Sequence, residues 1–155
     1  MSEKKIVGIT MGDPASIGPE ITVKAFADKS LYDLCNPVVV GDASVMEAAL
    51  PIVGHTEMKI NAIKDVSEAK YEYGTIDVLD MGLVDMAQLK RGEVSAMCGD
   101  AAFKYVTKVI ELAMDKKVDA TVTNAFNKEA VNLAGHHYSG HTEIYADMTG
   151  TKNYT

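Results

Sequence analysis

Short runs of β-branched residues alternate with helical segments along this chain, and that alternation limits the folds it can adopt. Strands are predicted at residues 5–10 and 37–42, and the segments that follow them, PEITVKAFA and ASVMEAALPIV, have helical spacing. The segments MKINAI, TIDVLDM and VDATVTN are predicted to add further strands. Because strands that alternate with crossover helices lie parallel in one sheet, the sequence predicts an α/β fold with a mainly parallel sheet and flanking helices.

The clearest predicted helix covers residues 100–117. Asp100 is expected to cap its start, and Lys116 and Lys117 suit its end, where the helix dipole favours cations. The residues of its predicted buried face share the i, i+3, i+4 spacing: Ala102, Phe103, Val106, Val109, Ile110, Leu112 and Ala113.

The charge and hydropathy of the chain argue against nucleic-acid and membrane partners. The 155 residues include 22 acidic and 15 basic side chains, a net charge of −7, and the basic residues are scattered rather than clustered. No apolar run approaches the roughly 18 residues of a membrane span, and the start MSEKKIVGIT lacks the apolar core of a signal peptide. We therefore expect a cytoplasmic protein. Cys35 and Cys98 form no CxxC pair and are expected to be buried or idle thiols.

The segment TMGDPASIGPEIT is predicted to form a tight turn between the first strand and a helix that begins near Pro19. Its glycines, at positions 12 and 18, do not match the GxGxxG dinucleotide fingerprint, even when Gly8 is counted. The turn lies at the carboxyl end of a strand, where α/β sheets place ligands. It is therefore either one wall of a ligand cleft or an ordinary tight connection.

A second polar cluster follows the last predicted strand. It contains Thr123, Asn124, Asn127 and Lys128. Lys128 could pair with a carboxylate or a phosphate. In the alternative interpretation, Asn127 caps a helix and Lys128 is solvated.

The stretch GHHYSGHTE, residues 135–143, contains three of the four histidines of the chain. His137 and His141 are four residues apart, but Gly140 interrupts any helix between them, which argues against a metalloprotease-like pair. A small zinc hydrolase built on His136, His137 and His141 is one alternative. The favoured interpretation is a loop, with His141 or Thr142 starting the next helix and contacting an anionic ligand; a purely structural loop is the other.

Taken together, three segments resemble the amino-terminal half of the 4-hydroxythreonine-4-phosphate dehydrogenase family. They are ITMGDPASIGPEI, GEVSAMCGDAAFKYV and TNAFNKEAVNLAGHHYSGHTE, in the order and at the spacing of the family. Ser16 departs from the glycine that is usual there, so the first turn is expected to differ slightly in backbone shape. The pattern NKEAxxLAGHxYxGHTE, including His136, is more similar to the sister branch that acts on the 4-phosphates of D-threonate or D-erythronate.

The resemblance implies a partial version of a two-domain fold like that of the isocitrate and isopropylmalate dehydrogenases. Residues 1–124 are expected to form most of the first α/β domain, and residues 125–155 to begin the second domain or a cleft segment. Family members are about twice as long as this chain and work as homodimers, so a homodimer is the implied assembly.

The resemblance also implies an activity, which is the NAD-dependent oxidation and decarboxylation of a 4-phosphorylated hydroxy acid with a divalent metal ion. It places the substrate contacts of the family on His141 and Thr142, and Lys128 is a further candidate for stabilising substrate charge. The metal ligands of the family follow its GHTE motif, so no metal ligand is assigned within the chain, and no cofactor contact is assigned either. A noncatalytic fragment or dimerisation module is the alternative, and the 155-residue chain alone is expected to be inactive.

Overall fold

A single parallel sheet with helices on both faces forms the structure, a computed structural model that describes residues 3–155. The strands are β1 (Ile6–Thr10), β2 (Asn36–Gly41), β3 (Lys59–Ile63), β4 (Thr75–Asp80) and β5 (Ala120–Thr123). The helices are α1 (Gly18–Phe26), α2 (Ser30–Leu34), α3 (Ala43–Val53), α4 (Ala96–Met114), α5 (Lys128–Leu133) and α6 (His141–Thr149), with a 3-10 turn at Val66–Glu68. The strand order is β3-β4-β2-β1-β5, and all pairings are parallel. The predicted α/β fold is confirmed.

The central strands are buried because helices cover both of their faces. Val38, Val39 and Val40 of β2 are completely inaccessible to solvent, as expected for a strand inside a parallel sheet. In β1, a Cβ atom at Gly8 would lie only 2.8 Å from a methyl group of Val109, so glycine lets α4 pack closely against the sheet.

Helix α4 begins four residues earlier than the sequence predicts, and Asp100 does not cap it. The cap is Ser95, whose hydroxyl accepts a hydrogen bond from the backbone N–H of Cys98 at 3.2 Å. Asp100 lies one turn inside the helix, where its carboxylate binds Lys104 and His136 instead. Lys116 lies beyond the end of the helix with a left-handed φ of 59°. The hydroxyl at position 95 is the better cap because it precedes the first helical residue.

The helices divide between the two faces of the sheet. Helices α1 and α3 pack together on one face, and α4 covers β1, β2 and β5 on the other, with α5 and α6 packed against α4. The chain therefore leaves β1 toward one face and β5 toward the opposite face. Because β1 and β5 are neighbours, their carboxyl ends form a topological switch point, which is where open α/β sheets bind ligands.

Residues 125–155 contribute α5 and α6 to the face that α4 covers. The predicted domain division after residue 124 stays a prediction. Across residues 3–155, no helix combines the length and the apolar character that a membrane crossing requires.

Candidate functional site

Polar side chains join the carboxyl ends of β1 and β5. Thr10, the last residue of β1, has no solvent-accessible surface, and its hydroxyl accepts a hydrogen bond from the backbone N–H of Asn124 at 3.0 Å. The amide group of Asn124 donates to the carbonyl of Thr10 at 3.0 Å and to the hydroxyl of Thr22 in α1 at 2.8 Å. These bonds fix the segment after β5 against the turn after β1. The two polar clusters found in the sequence are therefore one feature of the structure.

The turn after β1 depends on a glycine at position 12. Gly12 has a φ of 80°, and a Cβ atom there would lie 2.6 Å from the carbonyl oxygen of Ala125. The next residue, Asp13, is 3% exposed, and its carboxylate accepts a hydrogen bond from the N–H of Ala15 at 2.8 Å. Burial raises the pKa of Asp13, although backbone N–H groups of Ala15 and Asn127 act against that rise. The turn is thus both compact and acidic.

Ser16 has an ordinary backbone conformation in this turn. It is exposed and does not have a positive φ, so its own conformation does not require a glycine. The expected difference in backbone shape from the family stays a prediction.

His141 is the first residue of α6. This is one of the two start positions that the sequence predicts. Its ring contacts Phe126 edge to face, with the ring centroids 4.1 Å apart. Its Nε2 atom is buried and has no hydrogen-bond partner among the described residues. Burial lowers the pKa of His141, while a hydrogen bond with the backbone of Asn124 acts in the opposite direction. The lowered pKa favours the neutral imidazole, and its Nε2 is a buried ring nitrogen without a partner among the described residues.

The residues around His141 complete the start of α6. Thr142 is exposed and lies in the first turn, so its hydroxyl is accessible to an anionic ligand at the positive end of the helix dipole. Glu143, also in the first turn as predicted, accepts hydrogen bonds from the N–H and the hydroxyl of Ser139 at 2.6 and 2.8 Å. These bonds, the backbone N–H first, lower the pKa of Glu143. The end of the loop before α6 is therefore bonded to the first turn of that helix.

Asn127 and Lys128 adopt the alternative arrangement, in which Asn127 caps a helix and Lys128 is solvated. The side chain of Asn127 accepts a hydrogen bond from the N–H of Ala130 at 3.0 Å and so caps α5. Lys128 is exposed at the first position of this helix. Its proposed contact with substrate stays a prediction.

A cavity of about 410 Å³ opens at the same edge of the sheet. The turn after β1 lines it together with the loop before α4 and with Asn127, and the ionisable residues in its wall are Asp13, Glu20, Arg91 and Glu93. His141, Thr142 and Lys128 are not among the residues that line it. Glu20 belongs to the segment that the sequence offers as a possible wall of a ligand cleft, whereas Arg91 carries no such signal because only the fold brings its loop to this edge.

The residues of this cavity do not by themselves fit the pyrophosphate of NAD. The wall contains three carboxyl groups and a single guanidinium, so it has an excess of negative charge, which repels a dianionic group. No residue of this cavity is therefore assigned to NAD.

The three histidines of the GHHYSGHTE stretch do not form a metal site. Nε2 of His136 lies 2.8 Å from Asp100, His137 is exposed, and Nε2 of His141 is buried near Phe126. Within residues 3–155, no group of three or more histidine, cysteine, aspartate or glutamate side chains could hold a metal ion. The alternative of a small zinc hydrolase therefore has no support, and no catalytic step is derived through a metal.

The sheet and its switch point define an α/β chain whose polar groups meet at the carboxyl ends of β1 and β5, the edge where open sheets of this kind place ligands. Residues 33–155 match the model of the family described as pyridoxal phosphate biosynthetic protein PdxA. The chain belongs to the PdxA family, and the resemblance found in its sequence is confirmed.

Curated relatives and solved structures agree on this family. The chain is 49% identical over 153 residues to a protein of Halalkalibacterium halodurans named "Putative D-threonate 4-phosphate dehydrogenase", and 45% identical over 151 residues to one of the same name from Symbiobacterium thermophilum. These alignments cover 99% and 97% of the chain but 46% and 45% of the relatives. The chain thus spans less than half of their length.

Among solved structures, a 4-hydroxythreonine-4-phosphate dehydrogenase from Burkholderia phymatum is 48% identical, with a TM-score of 0.94 over 98% of this chain and 46% of that one. A terephthalate 1,2-cis-dihydrodiol dehydrogenase from Burkholderia xenovorans is more distant, at 27% identity and a TM-score of 0.66 over 88% of this chain and 38% of that one. The chain is therefore a partial version of a longer α/β fold.

Proposed function

We propose that the protein oxidises a 4-phosphorylated hydroxy acid with NAD as the hydride acceptor and that the resulting β-keto acid loses carbon dioxide. Membership of the PdxA family and the names of the relatives support the proposal. The structural observation that carries it is the buried, unpartnered Nε2 of His141 at the start of α6, beside the carboxyl end of β5. A neutral imidazole there can form one hydrogen bond to a substrate oxygen without the cost of burying a charge.

In this proposal, the residues of the chain bind and orient the substrate. His141 holds the reacting alcohol or a carboxylate oxygen through Nε2, which restricts the substrate to one orientation. Thr142 binds an anionic oxygen through its hydroxyl or its free N–H, and the helix dipole of α6 favours the negative charge. Lys128 contributes a flexible positive charge for the phosphate. NAD, when bound, would supply the hydride acceptor, and both it and the divalent metal implied by the family would be held by residues other than those described.

Three substrates remain within this class, and the two main candidates differ at carbon 2. D-threonate 4-phosphate has a hydroxyl group there, whereas 4-phosphohydroxy-threonine has an amino group. The curated relatives at 45% to 49% identity carry the D-threonate name, and the sequence pattern that includes His136 is similar to that branch. We therefore propose D-threonate 4-phosphate as the first substrate to test, with 4-phosphohydroxy-threonine as the alternative and D-erythronate 4-phosphate as a third.

Formation of NADH by the complete protein, with NAD and a divalent metal ion, tests the proposal. We expect turnover of at least one of these acids and a loss of roughly 100-fold in kcat/KM for His141→Asn, because a misplaced substrate typically costs that much. The control is His137→Asn, which changes an exposed histidine four residues away. The absence of NADH with all three acids would contradict the proposal.

A noncatalytic role is the second candidate for the 155-residue chain by itself. It is favoured by one observation, which is that residues 3–155 contain no group able to hold a metal ion. We propose that the chain alone is inactive and associates as a homodimer or with further polypeptide of the same fold. Sedimentation analysis combined with the NADH assay tests this, since a monomer that reduces NAD by itself would rule it out.

A further inference from the structure

The loop of residues 135–140, which precedes α6, is joined to α4 by a contact that the proposed function does not use. Nε2 of His136 lies 2.8 Å from Oδ1 of Asp100, although the two residues are 36 positions apart in the chain. The other carboxylate oxygen of Asp100 lies 2.7 Å from the ammonium group of Lys104. Partial burial raises the pKa of Asp100, but the hydrogen bonds from His136 and Lys104 outweigh this, and the pKa lies below its ordinary value. Asp100 is therefore an ionised acceptor shared by two donors.

Aromatic stacking fixes the plane of the His136 ring. Phe103, on the same helix as Asp100, stacks on His136 with the ring centroids 3.8 Å apart and the planes inclined by 14°. The other stacking partner of Phe103 is Tyr138, at 5.5 Å and 22°. The imidazole is therefore held by its edge and by its face, and both contacts come from α4.

The remaining side-chain bonds of the loop lead to α6. The hydroxyl of Tyr138 donates to Asp147 at 2.6 Å, and Ser139 donates to Glu143. These acceptors belong to the helix that begins at His141, so they move together with it. Among residues 3–155, the bond from His136 to Asp100 is the side-chain hydrogen bond of this loop that reaches the long helix α4.

We propose that Asp100 and His136 form a positioning pair for the start of α6. The pair holds the first part of the loop on α4, and the bonds of Tyr138 and Ser139 hold its last part on α6. The backbone of Ser139 and Gly140 is therefore fixed directly before His141 and Thr142. This inference rests on the proposed function only for the identity of the ligand, because the loop geometry exists without it.

The first test needs no ligand and measures amide hydrogen exchange at Ser139, whose N–H donates to Glu143. His136→Phe keeps a ring that can stack on Phe103 but removes the hydrogen bond to Asp100, so exchange at the amide of Ser139 is expected to rise roughly tenfold. The matched control, His137→Phe, changes the exposed neighbour and is expected to leave exchange unchanged. Asp100→Asn keeps an acceptor oxygen and is expected to preserve most of the protection that Asp100→Ala loses. Unchanged protection in both His136→Phe and Asp100→Ala would overturn the proposal.

The second test uses the complete protein with D-threonate 4-phosphate. Loss of a positioning contact is expected to raise KM roughly tenfold with little change in kcat, because both ground and transition states lose the same contact. If the wild type neither binds nor oxidises this acid, the choice of substrate fails while the exchange test still decides the positioning pair. If His136→Phe does not fold, the wild-type imidazole decides instead: a slowly exchanging Nε2 proton in the nitrogen-15 spectrum supports the pair, and its absence overturns it.

Discussion

Replacing Gly99 with alanine tests the packing that supports the loop before α6. A Cβ atom at position 99 of α4 would overlap the carbonyl group of Ala130 in α5 and would lie 2.6 Å from the backbone nitrogen of Val131. Ordinary contact begins near 3.4 Å, so the carbonyl of Ala130, and α5 with it, must retreat by about 1.5 Å. The obstacles are backbone atoms, which cannot rotate away as a side chain would. Helices α4 and α5 must therefore separate.

The expected loss of stability follows from two opposing contributions. Overpacking of this kind costs about 1 to 3 kcal/mol, and the upper part of that range applies because the obstacle is rigid. Alanine returns about 1 kcal/mol because it is the better helix former. We therefore expect Gly99→Ala to lower the free energy of unfolding by about 2 kcal/mol and Tm by about 4 to 8 °C.

Urea titration measures this change, and amide spectra of residues 139–142 show whether α5 carries the loop with it. The control is Gly54→Ala, because a Cβ there meets no atom within 4 Å and only the positive φ of 77° opposes it. That substitution is expected to cost about 1 kcal/mol and to leave the amides of residues 139–142 in place. A Gly99→Ala protein as stable as the wild type would refute the close packing of α4 on α5.

Three further predictions concern stability. Because burial lowers the pKa of His141 in the folded state, the contribution of this residue to the free energy of unfolding should be fully present above about pH 6.5 and be lost as the pH falls below that value. His141→Phe should flatten this loss, as measured by urea titration at each pH. Tyr105→Phe should lower the free energy of unfolding by about 2 kcal/mol in the same assay, because its hydroxyl donates to the buried carboxylate of Asp42 at 2.7 Å. The control Tyr73→Phe, at an exposed site, should lower it by less than about 0.5 kcal/mol. Asn127→Ala should cost about 1 kcal/mol by removing the cap of α5, and a comparable loss in Asn127→Asp, which retains a capping oxygen, would contradict that reason.

Local sequence patterns predict most of the strands and helices correctly. They do not predict the contacts between segments that lie far apart in the chain. The valine run of β2 and the start of α6 at His141 depend on neighbouring residues, and both were predicted correctly. The bond between Asp100 and His136 joins positions 36 apart, so Asp100 was assigned to a cap although its partner lies in another segment. The strand order, with β5 beside β1, also carries no local signal.

The same limit applies to the candidate site. The sequence placed Asn124 and Asn127 in one polar cluster and Gly12 in another, and position after a strand was enough to find both. The sequence does not show that the two clusters lie together in space, because the bond between Asn124 and Thr10 follows from the pairing of β1 with β5. Arg91 was missed because the loop before α4 reaches the cavity only through the crossing of α4 over the sheet.

The hydrogen bonds between Thr10 and Asn124 join residues separated by 114 positions, and this separation has a consequence for biosynthesis. The first strand leaves the ribosome long before its neighbour β5 exists, and a nascent chain grows at about 5 to 20 residues per second. Contacts this distant in sequence form slowly even in a finished chain. The edge of β1 that faces β5 therefore remains unpaired for several seconds of translation, a period in which a chaperone or a second nascent chain can bind it.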